Sequence, residues 1–132
     1  IRRQRQMCIR DRCDIVILPG GIPGVPNLKA NPKVEALVKK QNDRGAYVAA
    51  ICAGPTALGA FGVLADKKAT CYPGCEGQLM AKTHSTDSVV VDGNVITSRG
   101  VGTAIDFGLK IVEVMIDKTI ADDLAEKIVY KR

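Results

Sequence analysis

Apolar residues in this chain gather into short continuous runs separated by Pro and Gly clusters, the pattern of strands buried on both faces of a parallel sheet. Ile15-Val16-Ile17-Leu18 is the first run, stopped by Pro19-Gly20-Gly21. A Pro- and Gly-rich loop follows. Val34, Leu37 and Val38 then mark one face of a helix from about Pro32 to Asp43, with Pro32 suited to a helix start and Gly45 just past its end. Tyr47-Val48-Ala49-Ala50-Ile51 reads as a second buried strand. Strand, helix, strand over this length predicts a right-handed crossover, so the two strands lie parallel and end on the same edge of the sheet.

Further along, the pattern predicts a small-residue helix from about Gly54 to Gly62 and a short strand over Ala69-Thr70-Cys71-Tyr72, ended by Pro73-Gly74. Val89-Val90-Val91 and Val95-Ile96-Thr97 flank Asp92-Gly93-Asn94, a turn composition that predicts a β-hairpin. After Gly100-Val101-Gly102-Thr103, the residues Ile105, Leu109, Val112 and Ile116 share one stripe of a helix. Asp106, Lys110, Glu113 and Asp117 share another, with Asp106 and Lys110 spaced as an i,i+4 ion pair. A last helix is expected over Ala121 to Ile128. No internal repeat or low-complexity segment interrupts the series.

Composition narrows this to one α/β domain. The chain has 132 residues, 46% of them hydrophobic but only 4% aromatic, so the core rests on Val, Ile, Leu and Ala. The formal charge of +5 is concentrated in residues 1–13, which hold five Arg and one Asp and leave a net of only +1 over residues 14–132. That basic leader has neither strand alternation nor a helix cap, and is expected to be non-native or disordered sequence joined to a single domain over residues 14–132. Neither nucleic acid nor a membrane is an expected partner. The domain lacks a clustered basic face with stacking aromatics, and the uncharged run from Gly45 to Ala65 is interrupted by Gly54, Pro55, Gly59 and Gly62. The five cysteines, at 8, 13, 52, 71 and 75, are odd in number and irregular in spacing, which predicts free thiols in a reducing, cytoplasmic compartment.

Among these thiols, Cys52 has the setting of a nucleophile. It follows the second strand directly and precedes a helix, with Ala50 two residues before it and Gly54 two after, the small neighbours that a strained elbow requires. Pro55 suits the first turn of the next helix, so the sulfur is expected near a helix amino end, where dipole and free N–H groups favour thiolate over thiol. Gly20-Gly21 ends the neighbouring parallel strand at the same edge, and its amides together with that of Ala53 are candidates for an oxyanion hole. The competing interpretation is a buried cysteine acting as a small hydrophobe.

Three motifs in this order, Leu18-Pro19-Gly20-Gly21, Ala49-Ala50-Ile51-Cys52-Ala53-Gly54-Pro55 and Thr97-Ser98-Arg99-Gly100-Val101-Gly102-Thr103, resemble the DJ-1 branch of the DJ-1/ThiJ/PfpI superfamily. The resemblance covers residues 14–132, about the last two-thirds of a family member. It implies a flavodoxin-like three-layer sandwich with a mostly parallel sheet, here lacking the first βα units, and a homodimer in the full-length form. It further implies a cofactor-free, metal-free glyoxalase or deglycase acting on α-oxoaldehydes such as methylglyoxal, with oxidative-stress and chaperone roles. By this resemblance Cys52 is the nucleophile, Gly21 and Ala53 supply amides to the oxyanion, and Gly20, Tyr72, Ser98 and Arg99 belong to the pocket. The family's proton carrier is a glutamate near the amino terminus, and no residue here matches it, because its position lies upstream of Asp14. Tyr72 stands where some members have histidine, and Gly100-Val101-Gly102 where the family has glycine-proline-glycine. Ala53 excludes the protease-like branch, which has histidine directly after the cysteine.

The remaining signals are weaker. His84, the only histidine, is expected in a polar loop and is more readily a solvated side chain than a partner of Cys52. Cys71 and Cys75 have the wrong spacing for a zinc pair and read as free thiols, and Gly100-x-Gly102 lacks the third glycine of a dinucleotide fingerprint. The alternative to catalysis is a redox sensor or redox-regulated chaperone, in which Cys52 is oxidised and the same amides stabilise the sulfinate.

Overall fold

The computed structural model describes residues 13–131, so nearly all of the basic leader lies outside the described residues. Strands β1 (Ile15–Leu18) and β2 (Tyr47–Ile51) run parallel, with Leu18 opposite Ala50. Strand β6 (Val95–Ser98) lies parallel on the other side of β2 and pairs antiparallel with β5 (Val89–Asp92) through the expected turn, where Gly93 takes φ +59°. The sheet order is β1-β2-β6-β5.

Alternation along the strands divides the core between the two faces. Val16, Leu18, Val48, Ala50 and Val95 point to one face and pack with Leu28, Val38, Leu58 and Leu64. Ile15, Tyr47, Ala49, Ile51 and Ile96 point to the other and meet Phe107, Ile111 and Val114. The helices on the first face are α1 (Gly24–Lys29), α2 (Pro32–Asp43) and α3 (Pro55–Ala60); α4 (Ala104–Met115) covers the second, and α5 (Lys118–Lys127) packs on α4. The result is a three-layer α/β sandwich with a mostly parallel sheet, as expected. Helix α2 begins on Asn31, whose side-chain oxygen accepts from the N–H of Lys33 at 2.9 Å, and ends where Gln41 donates to the carbonyls of Cys13 at 2.9 Å and Tyr47 at 3.2 Å. One buried amide thereby aligns the starts of β1 and β2.

Four local expectations need correction. The stretch taken as a Pro- and Gly-rich loop contains α1, because Pro26 lies in a first turn, where its missing N–H costs nothing, and Val25 and Leu28 supply an apolar face. The strand expected over 69–72 shortens to β3 (Lys68–Ala69), paired with β4 (Thr83–His84), so His84 is an exposed strand residue. The next amides are diverted: Thr70 donates to Thr97 Oγ1 at 3.0 Å and Tyr72 to the Cys52 carbonyl at 2.8 Å. On α4 the sheet-facing residues are Phe107, Ile111 and Val114, while Ile105 and Ile116 are exposed. Asp106 accepts from the Tyr130 hydroxyl at 2.8 Å and Lys110 pairs with Glu113 at 2.8 Å, replacing the expected Asp106–Lys110 pair.

Candidate functional site

Cys52 follows the last residue of β2 with φ +64°, a left-handed conformation that a side chain other than glycine's seldom adopts. Two backbone bonds hold it there: its N–H donates to the Ser98 carbonyl at 3.1 Å, and its own carbonyl accepts from Tyr72 N–H at 2.8 Å. The chain then turns at once, with Gly54 N–H donating to the Ile51 carbonyl at 2.9 Å and the Thr56 hydroxyl to the Ala53 carbonyl at 2.6 Å.

Neither of the two glycines that crowd the cysteine, Gly20 and Gly54, leaves room for a side chain without a shift. A Cβ on Gly20 would lie 2.5 Å from the Cβ of Cys52 and 3.2 Å from its sulfur, and one on Gly54 would lie 2.7 Å from the Leu18 carbonyl oxygen. The end of β1 therefore passes directly against the cysteine. Gly21 takes φ +102°. Among the described residues, the N–H groups of Gly21 and Ala53 have no hydrogen-bond partner. Both sit beside Cys52, one on each of two adjacent parallel strand ends.

Cys52 opens onto two depressions. One, of about 500 Å³, is lined by Tyr72, Pro73, Thr86, Ser88, Arg99 and residues 100–103; the other, of about 370 Å³, by Gly20, Gly21, Ile51, Gly100, Val101 and Ala104. Tyr72, 49% exposed, lays its ring over Gly100, where a Cβ would be 3.6 Å from the ring. Arg99 donates from Nε to the Cys71 carbonyl at 3.2 Å and from Nη1 to the Thr86 carbonyl at 3.5 Å. No described residue lining either depression is a carboxylate or a histidine.

Ser98 lies behind this surface. It is fully buried, its hydroxyl donating to the Ser88 carbonyl at 2.6 Å and lying 2.7 Å from Thr103 Oγ1. Thr103 Oγ1 also accepts from the N–H groups of Arg99 at 3.3 Å and Gly100 at 3.1 Å, so one hydroxyl fastens the loop below the cysteine. Thr86, Ser88 and Pro73 went unrecognised in the sequence, because they reach the cleft from loops with no local motif. His84 lines neither depression, and no group of three or more His, Cys, Asp or Glu among the described residues is arranged to hold a metal. Burial pushes the Cys71 thiol up to about 11, with Glu76 and Cys75 adding to the effect and Arg99 opposing it, so Cys71 is a protonated core residue at neutral pH.

A partly exposed cysteine in a left-handed turn at the carboxyl edge of parallel strands, beside amides that are unpaired among the described residues, places the chain in the class of α/β proteins with a tight strand-to-helix elbow at a switch point of the sheet. Within that class the chain belongs to the DJ-1/PfpI family, whose model matches residues 6–114. It is 43% identical over 121 residues to the Danio rerio protein named Parkinson disease protein 7 homolog, covering 89% of this chain and 64% of that one. It is 42% identical over 104 residues to the Caenorhabditis elegans glutathione-independent glyoxalase DJR-1.2, covering 77% and 55%. The crystal structure of Drosophila melanogaster DJ-1beta superposes with a TM-score of 0.87 at 37% identity, over 96% of this chain and 69% of that one. The chain thus spans less than two-thirds of these two relatives' length.

Proposed function

We propose that this protein acts through Cys52 as a cofactor-free glyoxalase or deglycase on small α-oxoaldehydes such as methylglyoxal. The observation that carries this reading is the left-handed Cys52, φ +64°, at the mouth of a cleft beside two amides that are unpaired among the described residues. The thiolate adds to the aldehyde carbon, forming a C–S bond while the carbonyl π electrons move to oxygen; the amides of Gly21 and Ala53 donate to that oxyanion. A proton then leaves the former aldehyde carbon, and protons are delivered to the neighbouring carbon and to its oxygen, the latter balancing the one the thiol gave up, which gives the thioester of a 2-hydroxy acid. Water cleaves the thioester to release a 2-hydroxy acid and restore the thiol. The name of the nematode relative supports the reaction class. A cytoplasmic homodimer is part of the same proposal.

Proton transfer between the two carbons needs an acid-base group. The carboxylate-free lining of both depressions, among the described residues, favours a second reading: a redox sensor or redox-regulated chaperone in which peroxide oxidises Cys52 to the sulfinate. One experiment separates them. Lactate formation from methylglyoxal by the 132-residue chain, abolished in Cys52→Ser, supports the enzyme. No lactate, with Cys52 converted to sulfinate by peroxide ahead of the other thiols, supports the sensor.

A further inference from the structure

Arg99 is the one charged side chain among the described residues lining the cleft at Cys52. Its guanidinium is held by the carbonyls of Cys71 at 3.2 Å and Thr86 at 3.5 Å, two contacts that fix its plane without neutralising its charge. Among the described residues no carboxylate pairs with it. Glu76, the acidic residue whose field reaches Arg99, directs its carboxylate to the Gly74 N–H at 2.8 Å instead. A guanidinium carries five N–H donors and stays charged at any working pH, so three donors remain for a ligand.

An oriented, uncompensated cation in the same cleft as a nucleophilic thiol favours reagents that carry negative charge. We infer that Arg99 determines specificity by receiving an anionic group, carboxylate or phosphate ester, carried by the α-oxoaldehyde that Cys52 attacks. This rests on the reading of Cys52 given above. It deepens that reading by making the neutral methylglyoxal a poorer substrate than an α-oxoaldehyde bearing an oxyanion.

The test compares alkylation of Cys52 by iodoacetate and by neutral iodoacetamide in the full chain, followed peptide by peptide in a mass spectrometer. Each reagent forms a C–S bond with the thiolate and expels iodide, so any change in thiolate fraction cancels in the ratio of the two rates. Arg99→Gln should lower the iodoacetate-to-iodoacetamide ratio at Cys52 by about fivefold, the effect of one partly screened charge pair. Arg99→Lys should retain part of it, and the ratio at Cys75 should not move. An unchanged ratio at Cys52 in Arg99→Gln overturns the inference.

If Cys52 reacts with neither reagent, the nucleophile reading fails, and the anion site is read separately from the NMR signal of the Arg99 Nε–H in the wild-type chain. Saturable shifts on titration with lactate, or with inorganic phosphate, support the site and tell a carboxylate from a phosphate as the group received. No shift with either overturns it.

Discussion

At the scale of single residues, the site is a conflict settled by backbone contacts. Cys52 carries a side chain in a conformation suited to glycine, and two hydrogen bonds, to Ser98 and Tyr72, hold it there. Its place on a tight strand-to-helix turn was legible from the small neighbours Ala50 and Gly54. Its left-handed φ was not, since that comes from strands distant in sequence. Gly20 was legible as a neighbour at the same sheet edge, but its contact with the Cys52 Cβ was visible only in space. A Gly20→Ala chain should still fold and label at Cys52 about tenfold more slowly with iodoacetamide, because the new methyl displaces the elbow. The neighbouring thiol gives a pH prediction. Cys71 is raised from 9.0 to about 11 in the folded chain, so its protonated form is favoured by folding. That contribution is complete below pH 9 and is lost as pH rises through about 11, so denaturant midpoints should fall across this window. Cys71→Val should flatten the decline.

At the scale of elements, periodicity located the strands well and the helices less evenly. β1, β2 and the β5–β6 hairpin matched their apolar runs to within a residue, because a continuous apolar run marks a strand even at the sheet edge. There Ile17 of β1 and Val91 of β5 are exposed, rather than buried on both faces as expected for β1. Helix α1 was hidden by Pro23, Gly24 and Pro26, residues that read as loop unless the first-turn position of Pro26 is recognised. Helix α4 misled in a different way. It packs Phe107 on the sheet while α5 lies along it, so its sequence offers more than one apolar stripe and the wrong one looks equally good. Close element packing also fixes Gly59 on α3. A Cβ there would lie 1.9 Å from the Leu79 carbonyl oxygen, and α3 is the helix that follows the elbow. Gly59→Ala should destabilise the chain by about 1–3 kcal/mol, measured by urea denaturation, and a midpoint equal to wild type would show that α3 shifts freely against residue 79.

At the scale of the whole molecule, the three-layer arrangement follows from β2. Val48 and Ala50 face one helical layer, and Ala49 and Ile51 the other, so a five-residue strand specifies both cores. The parallel crossover then delivers Gly20-Gly21 and Cys52 to one edge, and β6 brings Arg99 beside them. That convergence was legible from strand order alone; the cleft wall of Thr86 and Ser88 was not, since it depends on the path of loops. β1 is an edge strand among the described residues, with Ile17 46% exposed. The most direct measurement of the central claim is whether methylglyoxal protects Cys52 from iodoacetamide in the native chain. Saturable protection of Cys52, at concentrations that leave Cys75 labelling unchanged, is the expected result. Equal protection of both thiols, or none at Cys52, would contradict it.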